Sequence, residues 1–355
     1  LETMRVYGRE HLRDGGISDE VRERHARYMA DELDRLTAVL LGPDEEAILH
    51  RVVQHLPDTV AALDWFVEHD EIEEALRLPS GSMFTTQRAH QAMMVRICAT
   101  GEGKDLPPEL RAELDLWSRV LSSSPVPAEE DSIVLLEQLA PRPDREVMAP
   151  GPSSRSIGPP LAAEICRTRE RFRSARPLSR YNWLLLGSRG LAMSGYLTDA
   201  AEVLPELEEF AATTQSEIVR TAIIELRAQI AAAEDDFVTS TELIDEFLRR
   251  RSGYLELIGL AVLGLGYSIS WHAHIGDPVP MIDVRRAWDV LDRHAGGTPS
   301  WRLASATAIT LAARGHRDLG IRFLRWSARI GEDNRNRLFA DELDRFDLPL
   351  DPEDI

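Results

Sequence analysis

A forty-residue period runs through the second half of this chain, and it restricts the fold more than any other feature. Ser188, Ala228, Ser268 and Ala308 fall into one register and are all small. Leu204, Ile244, Val284 and Leu324 form an aliphatic column, and Trp183, Ile223, Leu263 and Leu303 a large apolar one. Turn residues keep the same beat: Gly195-Tyr196-Leu197, Asp235-Asp236-Phe237 and Gly315-His316-Arg317 each precede a new apolar-periodic stretch, while Gly276-Asp277-Pro278 is displaced by about one residue. A unit of this length holds two helices that cannot bury their apolar faces alone, so stacked units must share one continuous core. A small side chain at one fixed place per unit lets helix axes approach closely. The expectation is an all-α chain built as a helix-turn-helix superhelical solenoid.

The rest of the sequence agrees with an all-helical chain. Ala, Leu, Arg and Glu recur, aromatic residues are 6%, and runs of β-branched residues in alternation are hard to find. In the first half, helices are expected over Glu2 to Leu12, from Ser18 as N-cap to about Leu41, Asp44 to Leu56, Asp58 to His69, and Glu71 to Leu78. Others are expected near Gln87 to Ala99, Pro107 to Leu121 and Glu129 to Leu139. Six prolines between Pro141 and Pro160 then mark a linker or irregular strap. The expected organisation is an N-terminal helical segment over 1–140, a Pro-rich strap over 141–160, and a repeat domain over 161–355.

Charge and hydropathy exclude several function classes. The net charge of −19 would repel phosphate backbones, so direct nucleic-acid binding is not expected. No apolar run reaches the roughly 18–20 residues that cross a bilayer; Leu255 to Trp271 comes nearest and carries Glu256. The opening residues Leu1-Glu2-Thr3-Met4-Arg5 do not read as a signal peptide, so a cytoplasmic protein is expected, with the distant Cys98 and Cys166 as buried thiols. Lys104 is the only lysine and has no phosphate-loop setting.

No catalytic set emerges, and an enzyme is not expected. His272 and His274 in Trp271-His272-Ala273-His274 point about 200° apart on a helix and cannot chelate one ion together. His50 and His55 also face different sides, and His25 reads as a packing residue. The acidic clusters Asp70-Glu71-Glu73-Glu74, Glu129-Glu130-Asp131 and Glu234-Asp235-Asp236 sit at helix starts, where carboxylates complement the helix dipole. Arg249-Arg250-Arg251 does the same at a helix end, with anion binding as the alternative.

A binding surface is the better candidate for function. In tetratricopeptide-like units the first helix of each pair lines a concave face. With Gly195 as the turn, that face should carry Asn182 and Arg189, then Glu225 and Gln229, then His272, then Arg302 and Ser305. Trp183, Tyr267 and Trp271 lie beside them. Donors, acceptors and flat aromatic area together suit a small polar ligand or a peptide, with a merely solvated face as the alternative.

The N-terminal eighty residues also resemble a family. Leu1-Glu2-Thr3-Met4-Arg5-Val6-Tyr7 followed by Leu12 resembles the segment that closes the winged-helix region in STAND-type regulatory ATPases of actinobacteria, Arg24-His25-Ala26-Arg27-Tyr28 their basic-His-Ala-aromatic helix, and Gly42 through Ala62-Leu63-Asp64-Trp65 with Asp70 through Leu78 the first helical pair after it. The family includes LuxR-type and antibiotic-regulatory transcription regulators. The resemblance departs at Pro57-Asp58-Thr59, where the family carries an acidic-Asn pair; Asp58 is expected still to cap the following helix. It implies ATPase and DNA-binding modules upstream of this stretch, with ATP bound there, and a helical-repeat sensor arm that binds no cofactor of its own. A stand-alone interaction scaffold is the alternative function.

Overall fold

The computed structural model describes residues 18–82, 87–121, 129–147, 158–251, 260–294, 298–328 and 343–348. Among them every regular element is helical and no strand is present. In chain order the helices are α1 (Ser18–Ala38), α2 (Glu45–Glu68), α3 (Ile72–Ala75), α4 (Pro79–Ser82), α5 (Gln87–Gly101), α6 (Pro108–Leu121), α7 (Glu129–Gln138) and α8 (Pro159–Arg171). Then come α9 (Pro177–Met193), α10 (Leu197–Ala201), α11 (Leu204–Thr214), α12 (Glu217–Ala233), α13 (Phe237–Arg251), α14 (Leu260–His274), α15 (Met281–His294), α16 (Thr298–Ala313) and α17 (Arg317–Ala328). The expected helix over Glu2 to Leu12 lies outside the described residues.

One local turn explains why the second half divides into pairs. Gly195, Asp235, Gly276 and Gly315 all adopt left-handed φ, of 86°, 68°, 79° and 81°. The following amide in each case donates to the carbonyl five residues back: Tyr196 to Leu191 at 2.9 Å, Asp236 to Ala231 at 2.9 Å, Asp277 to His272 at 3.0 Å and His316 to Leu311 at 2.8 Å. This is the Schellman closure, which satisfies carbonyls that a helix end leaves open. Glycine meets the φ requirement without strain, and Asp tolerates it better than most residues. Asp70, with φ 62° and Glu71 donating to Phe66 at 2.9 Å, makes the same turn in the first half. After Gly276 the sequence Asp277-Pro278-Val279-Pro280 stays out of helix, so α15 starts only at Met281.

The small-residue column is interior. Ser188, Ala228 and Ala308 are 0% exposed and Ser268 is 8% exposed. The buried Ser188 hydroxyl donates to the Leu184 carbonyl at 2.5 Å and so leaves no open polar group. In the aliphatic column Ile244, Val284 and Leu324 are buried and Leu204 is half-buried.

One expectation is corrected. The break foreseen between Leu56 and Asp58 is absent: α2 runs through Pro57, and Asp58 lies within it instead of capping a new helix. The hydroxyl of Thr59 donates to the His55 carbonyl one turn back at 2.9 Å, the usual back-bond of a threonine inside a helix. Both ends of the Pro-rich stretch lie among the described residues. Pro159 and Pro160 form the first turn of α8, where a missing N–H costs nothing. At the other end Arg145, Glu146 and Val147 are buried, and residues 148–157 lie outside the described residues.

Direct contacts join the two halves. Arg176 pairs with Asp34 of α1 at 2.8 Å and with Glu146 at 3.4 Å. Glu146 also accepts the Ser179 amide at 2.7 Å, and the Trp183 indole donates to the Val147 carbonyl at 3.1 Å. Glu45, buried at the start of α2, accepts the Ser216 hydroxyl at 2.6 Å and the Ile218 amide at 2.9 Å. It therefore caps α12 from a distant part of the chain, placing a carboxylate at the positive end of the helix.

Candidate functional site

Several of the residues expected on the concave face meet one another, but inside the molecule. Arg189 on α9 forms an ion pair with Glu225 on α12, and Glu225 accepts from Gln229 one turn further along at 3.2 Å. Burial opposes the Arg189 charge, yet the Glu225 carboxylate outweighs it and holds the guanidinium above its ordinary pKa. The Tyr181 and Tyr267 hydroxyls act in the same direction, which places both near this pair.

From the other side, the Arg302 guanidinium of α16 lies 4.4 Å from the centre of the Tyr267 ring. The chain makes room for it with Gly266, where a Cβ would stand 2.8 Å from Arg302 Cγ. Tyr267 in turn contacts Trp271 with ring centres 4.8 Å apart. Ser305 donates to the Arg302 carbonyl at 3.0 Å. The result is a polar seam running from α9 through α12 and α14 to α16.

This corrects the open groove. Asn182, Trp183, Arg189, Glu225, Gln229, Tyr267, Trp271, Arg302 and Ser305 are all buried, and only His272 is partly exposed. The reason is packing between units. Helix α9 lies on α12, α14 lies on α16, and α13 fills the space between α12 and α14. The polar side chains on the first helices thus meet one another before they meet solvent. Trp183 belongs to a different contact: it stacks on Phe172 at 4.7 Å and fixes the strap through Val147.

His272 sits at the edge of the seam in a small acidic clasp. Its Nε2 lies 3.0 Å from Asp245 Oδ2, and Ser268 donates to Asp245 Oδ1 at 2.8 Å. Hydrogen bonding to Asp245 holds the imidazole above its usual pKa. Burial works against ionisation of Asp245, but the bonds from His272 and Ser268 prevail and hold the carboxyl below its usual range. The clasp ties α13 to α14 and does not assemble a nucleophile, because Ser268 and His272 both address the carboxylate and not each other.

His274 faces elsewhere, stacked on Phe237 at 4.2 Å. No group of three or more potential metal ligands gathers among the described residues. Burial pushes the Cys98 thiol up to about 12 and raises Cys166, which makes both poor nucleophiles. Among the described residues no helix is long and apolar enough to cross a membrane.

Sequence reasoning missed Tyr181, Asp245, Gly266 and Glu45 as partners in these contacts. Gly266 gave the one usable signal, a glycine inside a strongly helical stretch, which often marks a close approach. Comparison with family models, with characterised proteins and with solved structures returns no match.

Proposed function

We infer that this chain is the tetratricopeptide-like repeat arm of a STAND-type transcription-regulatory ATPase, and that it signals by binding a partner protein or peptide. The observation that carries this is the joint between the family-like N-terminus and the repeats. Helix α1, which holds Arg24-His25-Ala26-Arg27-Tyr28, is tied to α9 through Asp34 and Arg176, and Glu45 just after it caps α12. A partner that prefers one arrangement of the repeats would bias α1 through these bonds by its differential affinity. ATP and DNA are assigned to modules upstream, and no cofactor to this chain.

A peptide or protein suits this arm better than a small polar metabolite. The side chains expected to hold a metabolite are engaged with one another in the seam. The same observation favours, as the second reading, a stand-alone scaffold with no small-molecule ligand.

Two experiments test the proposal. The coding sequence upstream of Leu1 should carry a phosphate-binding loop and a winged helix in the same frame; a start codon directly before Leu1 would remove the ATPase arm reading and leave the scaffold. Small-angle scattering should give a radius of gyration well above the about 20 Å of a compact chain of this length. A value at that limit would refute the solenoid.

A further inference from the structure

Residues 343–348, Leu-Asp-Arg-Phe-Asp-Leu, lie across three successive helix pairs. Arg345 forms an ion pair with Asp235, at the turn of the α12–α13 pair, and its guanidinium lies 4.8 Å from the Phe237 ring centre. Phe346 meets His274, at the end of α14, edge to face at 4.9 Å. Leu343 and Leu348 are buried with Ala273 of α14, Ala308 and Ile309 of α16, and Leu324 of α17. The Arg317 guanidinium holds the Asp347 carbonyl.

The segment is a self-contained shape. Its own backbone closes the turn, with the Leu348 amide donating to the Leu343 carbonyl at 3.1 Å and Asp347 in left-handed φ of 51°. One side presents two leucines and a phenylalanine to the helices, while Asp344, Arg345 and Asp347 are exposed. A terminal cap would cover the outer face of the last pair alone. This segment instead runs back to Asp235, 110 residues earlier than Arg345, and is recognised by side chains from every pair it crosses. That is how a bound peptide is read: apolar anchors in a groove, with one charge setting direction.

We propose that this groove is a peptide-recognition site which the chain fills with its own residues 343–348. Its partner is a protein segment of the same chemistry: an aliphatic anchor, an arginine and an aromatic in succession, and a second aliphatic anchor five residues after the first. The inference needs no upstream module and stands apart from the ATPase reading. The cis segment competes at the high effective concentration of a tethered ligand, so the site is closed until a partner outcompetes it.

The test uses the full chain and a fluorescein-labelled peptide with the sequence of residues 341–350. If the cis segment fills the groove at least nine-tenths of the time, Leu343→Asp with Phe346→Ala should tighten binding of the labelled peptide at least about tenfold. Adding Asp235→Arg should abolish the gain, and a peptide carrying Glu in place of Arg345 should restore it. The proposal is overturned if the opened chain keeps its helical signal and melting point yet gains no affinity, or if Asp235→Arg leaves the gain intact. It is also overturned if the opened chain dimerises by gel filtration, which would give the groove to a second copy. Should the double substitution unfold the chain, Arg345→Glu alone keeps both leucines and should still raise peptide affinity about threefold; no rise there refutes cis occupation.

Discussion

Replacing Glu225 by Gln tests whether the seam is interior. The pair it breaks is deeply enclosed, with the Arg189 and Glu225 side chains 8% and 2% exposed. Gln cannot neutralise Arg189, so a full guanidinium charge would remain where no water solvates it. Removing one member of a buried pair costs about 3–5 kcal/mol. Unfolding entropy of about 2.1 cal/mol/K per residue, applied to this chain, converts that into a melting point lower by about 4–7 °C. The control replaces both partners by apolar residues of similar volume, Arg189→Met with Glu225→Leu, which should recover most of the loss because no charge is left stranded. Circular dichroism melts of the parent, Arg189→Met, Glu225→Leu and the double variant close a cycle that gives the coupling energy directly. If Glu225→Gln melts within a degree of the parent, solvent reaches the pair. The seam would then be an open groove, and the ligand-lining expectation would return.

Three further outcomes follow from packing and titration. Ala228→Leu inserts bulk at a fully buried alanine that shares a core cluster with Tyr267 and Trp271, and should destabilise by about 1–3 kcal/mol in urea titration; no change would refute the repeat register. Burial lowers His90 to about 4, against its hydrogen bond to the Pro79 carbonyl, so the unfolded chain binds the proton first and stability falls with pH below about 6.5. His90→Gln should therefore shrink the stability difference between pH 7 and pH 4.5 by about 2 kcal/mol, measured by urea midpoints. His272 has the opposite sign: its pKa is raised by Asp245, with Asp277 also facing it and Arg249 acting on Asp245. Its contribution is complete below about pH 6.5 and fades as pH rises through the folded value. The melting-point gap between parent and His272→Gln should thus be widest below about pH 6.5 and narrow as the pH rises past it; a gap that widens with pH would refute the clasp.

The buried small-residue positions were legible because they recur at a fixed spacing. Ser188, Ala228, Ser268 and Ala308 each stand at an enclosed helix contact, and such contacts admit only small side chains. The turns at Gly195, Asp235, Gly276 and Gly315 were legible because left-handed φ narrows the choice of residue. The direction of the polar residues was not legible. Arg189 and Glu225 look like surface residues singly, and only their meeting across two helices makes burial tolerable. Pro57 misled for a related reason, since its composition signal says break while the packing of α2 carries the helix through. The groove under residues 343–348 left only the spacing of Leu343, Phe346 and Leu348, too short a pattern to show what it would cover.

Glu45 has a consequence for the order in which the chain matures during synthesis. The Ile218 amide in the first turn of α12 finds its acceptor 173 residues earlier, on a carboxylate that leaves the ribosome long before α12 does. In a simple array each unit nucleates on its neighbour, and a nascent repeat half could assemble alone. Here the start of α12 is incomplete without the first half, and closing so long a loop slows folding. Translation from the N-terminus suits this arrangement, because Glu45 is already in place when Ser216 emerges. Expression of the second half by itself would withdraw that acceptor, leaving Ser216 to cap Val219 while the Ile218 amide loses its partner.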